Sequence, residues 1–144
     1  MKITKRVTGS IVPPRRKYPS DAGIDLFSFG DYKIEPHSIG IIRTGVSIEI
    51  PKNCMGWITN KSSSNFLVGA GVVDEGYQGE ILIKVFNVLS EPLIINHGKA
   101  VAQLIILPIL RPDLEWVLVD DFFSDETQRG ERGGIHDSVV QKER

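Results

Sequence analysis

Three features of the sequence predict an all-β fold. Short apolar stretches alternate with polar residues, Gly and Pro turns recur between them, and no segment sustains a helical period. The 144 residues suffice for one domain with a real core but not for two.

The elements follow in order. Lys2 to Val7 reads as a short strand. Ile11 to Pro19 is a loop, because its prolines deny a central strand, and its Arg15, Arg16 and Lys17 are either simply solvated or able to steer an anion. In Ser20 to Ser28, small residues lead into a short apolar strand with one acidic side chain, Asp25. That carboxylate either caps local amides or points into a cleft, ordering water around a hard cation. Ser38 to Ile50 predicts a half-buried strand, with Val46, Ile48 and Ile50 alternating with Ser47 and Glu49 and a bend at Gly45. Met55 to Thr59 is the next strand. Asn60-Lys61-Ser62-Ser63-Ser64-Asn65 then places a cation and three hydroxyls at a strand end, a polar loop or short helix start suited to phosphate oxygens.

Gly69 to Ile81 predicts a β-hairpin with Asp74 and Tyr77 at its open end. Its glycines let a flat polar base approach the main chain, with Asp74 beside it as a base. Ile81, Ile83 and Val85 point one way and Leu82 and Phe86 the other, as in a strand buried on both faces or set at a subunit interface. Ala100 to Pro108 is a long apolar strand interrupted by Gln103, whose amide needs partners in the core or faces a ligand. Leu114 to Val119 is expected as a last strand. The glycine- and charge-rich stretch from Gln128 to Ser138 is expected as a mobile arm, giving a division into a 1–122 β domain and a 123–144 arm.

The net charge of −1 lacks the basic excess of a general nucleic-acid binder. One cysteine, Cys54, permits no disulfide within the chain, and His37, His97 and His136 show no zinc spacing. No apolar run reaches membrane-span length, and no apolar signal region follows the basic N-terminal residues, so a cytoplasmic protein is expected, or one in the host-cell nucleus or cytoplasm if viral.

These pieces, taken together and in order, resemble the five motifs of the trimeric dUTP nucleotidohydrolases. Ala22, Gly23, Asp25 and Leu26 match A-G-x-D-L. Lys61-Ser62-Ser63 resembles R-S-[SG], with Lys in place of Arg and so without the bidentate fork. Gly71 to Ile81 resembles G-V-I-D-x-x-Y-x-G-E, and Gly98, Ala102 and Gln103 match G-x-x-x-A-Q. The last motif, R-G-x-G-G-F-G-S-T-G, is matched by Arg129, Gly130, Gly133 and Gly134, while Ile135 stands where Phe would stack on the base.

The resemblance implies a distorted jelly-roll β-barrel, assembled as a homotrimer with sites at subunit interfaces and a flexible C-terminal arm. It implies hydrolysis of dUTP to dUMP and pyrophosphate, limiting uracil in DNA and supplying dUMP. Asp74 would activate water, and Mg2+ would be met by Asp25 through water. Lys61, Ser62, Ser63, Gln103 and Arg129 would bind phosphates. Gly71, Val72 and Val73 would read uracil, and Tyr77 would stack under the deoxyribose. Two other readings remain at this point: a dCTP deaminase or bifunctional deaminase-diphosphatase on the same fold, and a nucleotide-sensing regulatory protein.

Overall fold

The computed structural model describes residues 1–118 and Gln128. Among these residues eleven strands occur in order: β1 (Ile3–Lys5), β2 (Ile24–Phe27), β3 (Tyr32–Ile34), β4 (Ile39–Arg43), β5 (Val46–Ile48), β6 (Cys54–Thr59), β7 (Leu67–Val68), β8 (Gly71–Val73), β9 (Leu82–Phe86), β10 (Leu93–Ile95) and β11 (Ala100–Pro108). No helix occurs among the described residues, so the all-β expectation is met, in a distorted jelly roll. None of the described segments is a helix long and apolar enough to cross a membrane.

All pairings are antiparallel. β2-β11-β6-β8 form a four-stranded sheet and β4-β9-β7 a three-stranded one, with β1–β5 and β3–β10 as separate pairs. Leu26, Ile42, Val46, Ile83, Val85, Val101 and Leu104 form the heart of the core. Each such side chain withdrawn from water contributes about 1.5–3 kcal/mol. β9 shows why the pattern folds this way: Ile83 and Val85 are buried, and Leu82 and Phe86, half a period away, are exposed. Met1–Leu110 make one compact unit, and the described residues from Arg111 onward belong to a second.

Four expectations are corrected. Ser38 to Ile50 is two strands, because Gly45 takes a positive φ of 72° between β4 and β5. β5 is buried throughout rather than half-buried: the Ser47 hydroxyl is satisfied internally by the carbonyls of Gln78 and Gly79, at 2.9 and 2.8 Å. The stretch from Gly69 to Ile81 is not a hairpin. β8 pairs with β6 and β9 with β4 and β7, so the chain changes sheets there. Finally, the described part of Leu114–Val119 forms no strand, although Leu114, Trp116 and Leu118 alternate and are exposed. An alternating pattern becomes a strand only where a neighbour takes its backbone hydrogen bonds.

Candidate active site

Strand register builds the first half of the site. Asp25 on β2 lies opposite Gln103 on β11, and Gln103 lies opposite Thr59 on β6. Directly opposed residues share a face, so these three polar side chains form one row. Their neighbours Ile24, Leu26, Leu104 and Ile58 turn the other way into the core, which leaves the row half-exposed on the outer face.

The chain leaves β6 into the Lys61–Ser64 turn, closed by the Ser64 amide donating to the Lys61 carbonyl at 3.1 Å. Ser62 and Ser63 sit at its exposed corner, a β-turn where a helix start was the other expectation. The ammonium of Lys61 donates to Asp25 Oδ1, tying this turn to β2. Two residues that pattern reading passed over hold the loop in place. Asn60 Nδ2 donates to the Phe66 carbonyl at 2.9 Å, and its Oδ1 accepts from the Val68 amide at 2.7 Å. The Phe66 ring is buried, with the Lys99 ammonium 5.4 Å from its centroid. The sequence signal was a polar side chain and a lone aromatic bracketing a serine run.

Gln103 is oriented by donating from Nε2 to the Asn60 carbonyl at 2.8 Å. Its Oε1 lies so close to Gly23 that any Cβ there would collide with the amide. The structural reason for glycine at 23 is therefore room for Gln103.

The second half of the site lies beyond β8. Asp74, Tyr77, Ile58 and the main chain of Gly71, Val72 and Val73 line a concavity of about 340 Å³. Among the described residues β8 is an edge strand with β6 on one side only, so its other edge offers N–H and C=O groups to the concavity. Asp74 is exposed, and its carboxylate makes no hydrogen bond among the described residues. A tight turn follows, with the Tyr77 amide donating to the Asp74 carbonyl at 3.1 Å. The Tyr77 ring folds over Gly79, where a Cβ would strike it, and its hydroxyl reaches the Glu80 carbonyl at 3.3 Å.

Glu80 locks this turn to the body. Its carboxylate accepts from Arg43 Nη2 at 2.9 Å, from Arg43 Nε at 3.1 and 3.2 Å, and from the Gly45 amide at 2.8 Å. The hydrogen bond to Glu80 raises the pKa of the Arg43 guanidinium above its ordinary value. Thr44 Oγ1 donates to the Ile81 carbonyl at 2.7 Å from a buried position. Sequence reading took Glu80 only as part of a motif; the partner that gives it a role lies 37 residues away.

One chain does not bring the two halves together. Val73 is opposite Gly56, which sets Asp74 beside Met55, whereas Lys61 lies six residues further along β6 and its turn. At about 3.3 Å per residue that is a separation of about 20 Å. Arg129 lies outside the described residues, as do Ile135 and the other residues of 130–138.

No group of three or more His, Cys, Asp or Glu residues that could hold a metal occurs among the described residues. Asp25 is a lone carboxylate in a polar row. It already accepts from the Lys61 ammonium, so it suits an ion like Mg2+, which keeps several waters and is held largely by substrate phosphates, through water rather than by direct ligation.

A family model described as dUTPase matches residues 10–138. The chain is 37% identical over 132 residues to the deoxyuridine 5'-triphosphate nucleotidohydrolase of Mus musculus, covering 89% of this chain and 79% of the relative. It is 33% identical over 138 residues to the enzyme of the same name from Clostridium kluyveri, covering 91% and 93%. Among solved structures, a mutant dUTPase from phage phi11 of S. aureus superposes with a TM-score of 0.76 at 25% identity, covering 85% of this chain and 98% of the other, and is described with a coordinated structural Mg(II) ion.

Proposed function

This chain belongs to the dUTPase family, and from that premise we propose that it hydrolyses dUTP to dUMP and pyrophosphate at sites completed between copies in a homotrimer. The observation that carries the reading is the Asp74 concavity. An exposed, uncommitted carboxylate stands at its rim, a strand edge lines its wall, and an aromatic ring closes one end.

In this reading the free edge of Gly71–Val73 hydrogen-bonds uracil. Cytosine exchanges an acceptor for a donor and leaves one backbone group unpaired, at a cost of about 1–3 kcal/mol. Tyr77 packs under the deoxyribose, where a 2′-hydroxyl would clash. Asp74 takes a proton from the water that attacks the α-phosphorus; the new P–O bond forms as the bond to the bridging oxygen breaks and pyrophosphate leaves. An exposed carboxylate is a weak base, so its contribution rests on placement. Lys61, Ser62, Ser63 and Gln103 hold phosphate oxygens, and Arg129 joins them from the arm. Mg2+ carried on the triphosphate supplies charge neutralisation, and Asp25 is the residue that would meet it through water.

The separation of about 20 Å between Asp74 and Lys61 supports assembly. Such a separation favours a second copy bringing its phosphate-binding row to the Asp74 concavity.

The test is incubation with Mg2+ and dUTP, dCTP, dTTP or UTP, with dUMP, pyrophosphate and ammonia measured, beside Asp74→Asn. The expected result is dUMP and pyrophosphate from dUTP alone, reduced about 10²-fold or more in the variant. Ammonia from dCTP would instead establish deamination. Undiminished turnover in Asp74→Asn would remove that residue from the chemistry.

A further inference from the structure

The polar row has a fourth member. Arg15, in the proline-bounded loop before β2, forms an isolated antiparallel bridge with Asp25. The Arg15 amide donates to the Asp25 carbonyl at 3.3 Å, and the Asp25 amide donates back to the Arg15 carbonyl at 2.8 Å. Residues that exchange both bonds have Cα atoms about 5.5 Å apart and side chains on one face. Thr59, Gln103, Asp25 and Arg15 therefore stand side by side across four segments, with Arg15 at the outer end.

The neighbouring cations are committed differently. Arg16 donates from Nε to the Asp21 carbonyl at 3.0 Å, which braces the loop. Lys17 lies 5.5 Å from the Tyr18 ring centroid. The Lys61 ammonium donates to Asp25, which offsets part of the charge it brings to a phosphate. The Arg15 guanidinium forms no ion pair among the described residues and rests 5.3 Å from the centroid of Phe27, which is two residues from Asp25 and on the same face. Its root is pinned by two backbone hydrogen bonds. Among the described residues its tip is held by that cation–π contact, which leaves the exposed guanidinium with no hydrogen bond to give up.

We infer that Arg15 is a phosphate-positioning residue: its guanidinium leaves Phe27 and grips the pyrophosphate end of the substrate, supplying the bidentate fork that Lys61 lacks. This rests on the dUTP-hydrolysing reading. The chemistry that favours it is the shape of the group. A planar guanidinium pairs two phosphate oxygens at once, whereas an ammonium offers a point charge. Lys61 shares its charge with Asp25, whereas Arg15 is the cation of the row with no carboxylate paired to it among the described residues, so it can meet the phosphates beside Lys61.

The experiment compares wild type, Arg15→Ala and Arg15→Lys by calorimetric titration with inorganic tripolyphosphate and with dUMP, followed by steady-state kinetics on dUTP. The side chain is exposed, so melting temperature stays unchanged. Expected for Arg15→Ala are about tenfold weaker tripolyphosphate binding, a change under about twofold for dUMP, and a KM for dUTP raised about tenfold with kcat within about threefold. Arg15→Lys recovers only part of the loss, because charge returns without the fork. Unchanged tripolyphosphate binding in Arg15→Ala overturns the inference, as does equal weakening of dUMP, which marks a disturbance of the fold. The outcomes separate the two readings. If wild type turns over no dUTP, the proposed function fails, and the tripolyphosphate titration still judges Arg15.

Discussion

Lys61 donates its ammonium to the carboxylate of Asp25, joining the turn after β6 to β2 across the strand that carries Gln103. Each partner is less than one-quarter exposed, with side-chain accessibilities of 24% and 17%, so the pair is worth more than a surface bridge. If Lys61 holds phosphate as proposed, Lys61→Ala removes that ligand and leaves Asp25 without its counter-charge. A charge-assisted hydrogen bond of about 1.5–3 kcal/mol predicts a loss of about 10- to 100-fold in kcat/KM. Lys61→Arg keeps the charge and retains most of the activity. Steady-state kinetics on dUTP checks both, and an unaffected Lys61→Ala would place the phosphates elsewhere.

If the Asp74 and Lys61 halves of a site come from different copies, two dead variants can repair each other. Asp74→Asn and Lys61→Ala, unfolded together in equal amounts and refolded, should regain about a quarter of wild-type activity, the share of sites in which both intact halves meet by chance. Each variant refolded alone should regain none. A mixture as inactive as its parts would assign both residues to one subunit.

Gly23 leaves the space into which Gln103 Oε1 fits. Gly23→Ala should push that amide out of the polar row and raise KM for dUTP about tenfold, with secondary structure intact by circular dichroism. A double variant, Gly23→Ala with Gln103→Ala, should be no worse than Gln103→Ala alone, because the two changes act through the same side chain. Additive losses would count against this link.

Phe66 is buried at 2% exposure and carries the carbonyl that accepts from Asn60. Phe66→Ala should cost about 3–5 kcal/mol by denaturant unfolding, the range for removing a core phenyl ring. A cost below about 1 kcal/mol would mean that the Lys61 loop is not anchored through this ring.

Much of this was legible along the chain. The alternation of Ile81, Ile83 and Val85 with Leu82 and Phe86 gave β9 its buried face, and the apolar run from Ala100 to Pro108 became β11 over those residues. The glycines around Asp74 include Gly79, over which the Tyr77 ring folds, but the strand partners are not those expected. They read as a hairpin because local spacing carries no information about which strand pairs with which, and β8 found β6 instead. Ser47 looked solvent-facing because its acceptors, Gln78 and Gly79, lie about thirty residues on. Asn60 escaped notice for the same reason: its value lies in holding a loop closed by contacts to Phe66 and Val68. Asp25, Lys61 and Gln103 were each visible as chemical groups, but their alignment is a property of register, which residue types alone do not encode.

The open edge of β8 has a consequence for handling the protein. Backbone groups that can receive a pyrimidine can also receive another strand, and edges of this kind seed precipitation. Two features guard it here: the strand is only three residues long, and an acidic side chain, Asp74, follows immediately. Neutralising that charge removes one guard. Asp74→Asn, the variant that tests the proposed base, is therefore expected to lose solubility on concentration sooner than wild type, and light scattering should accompany any assay that uses it.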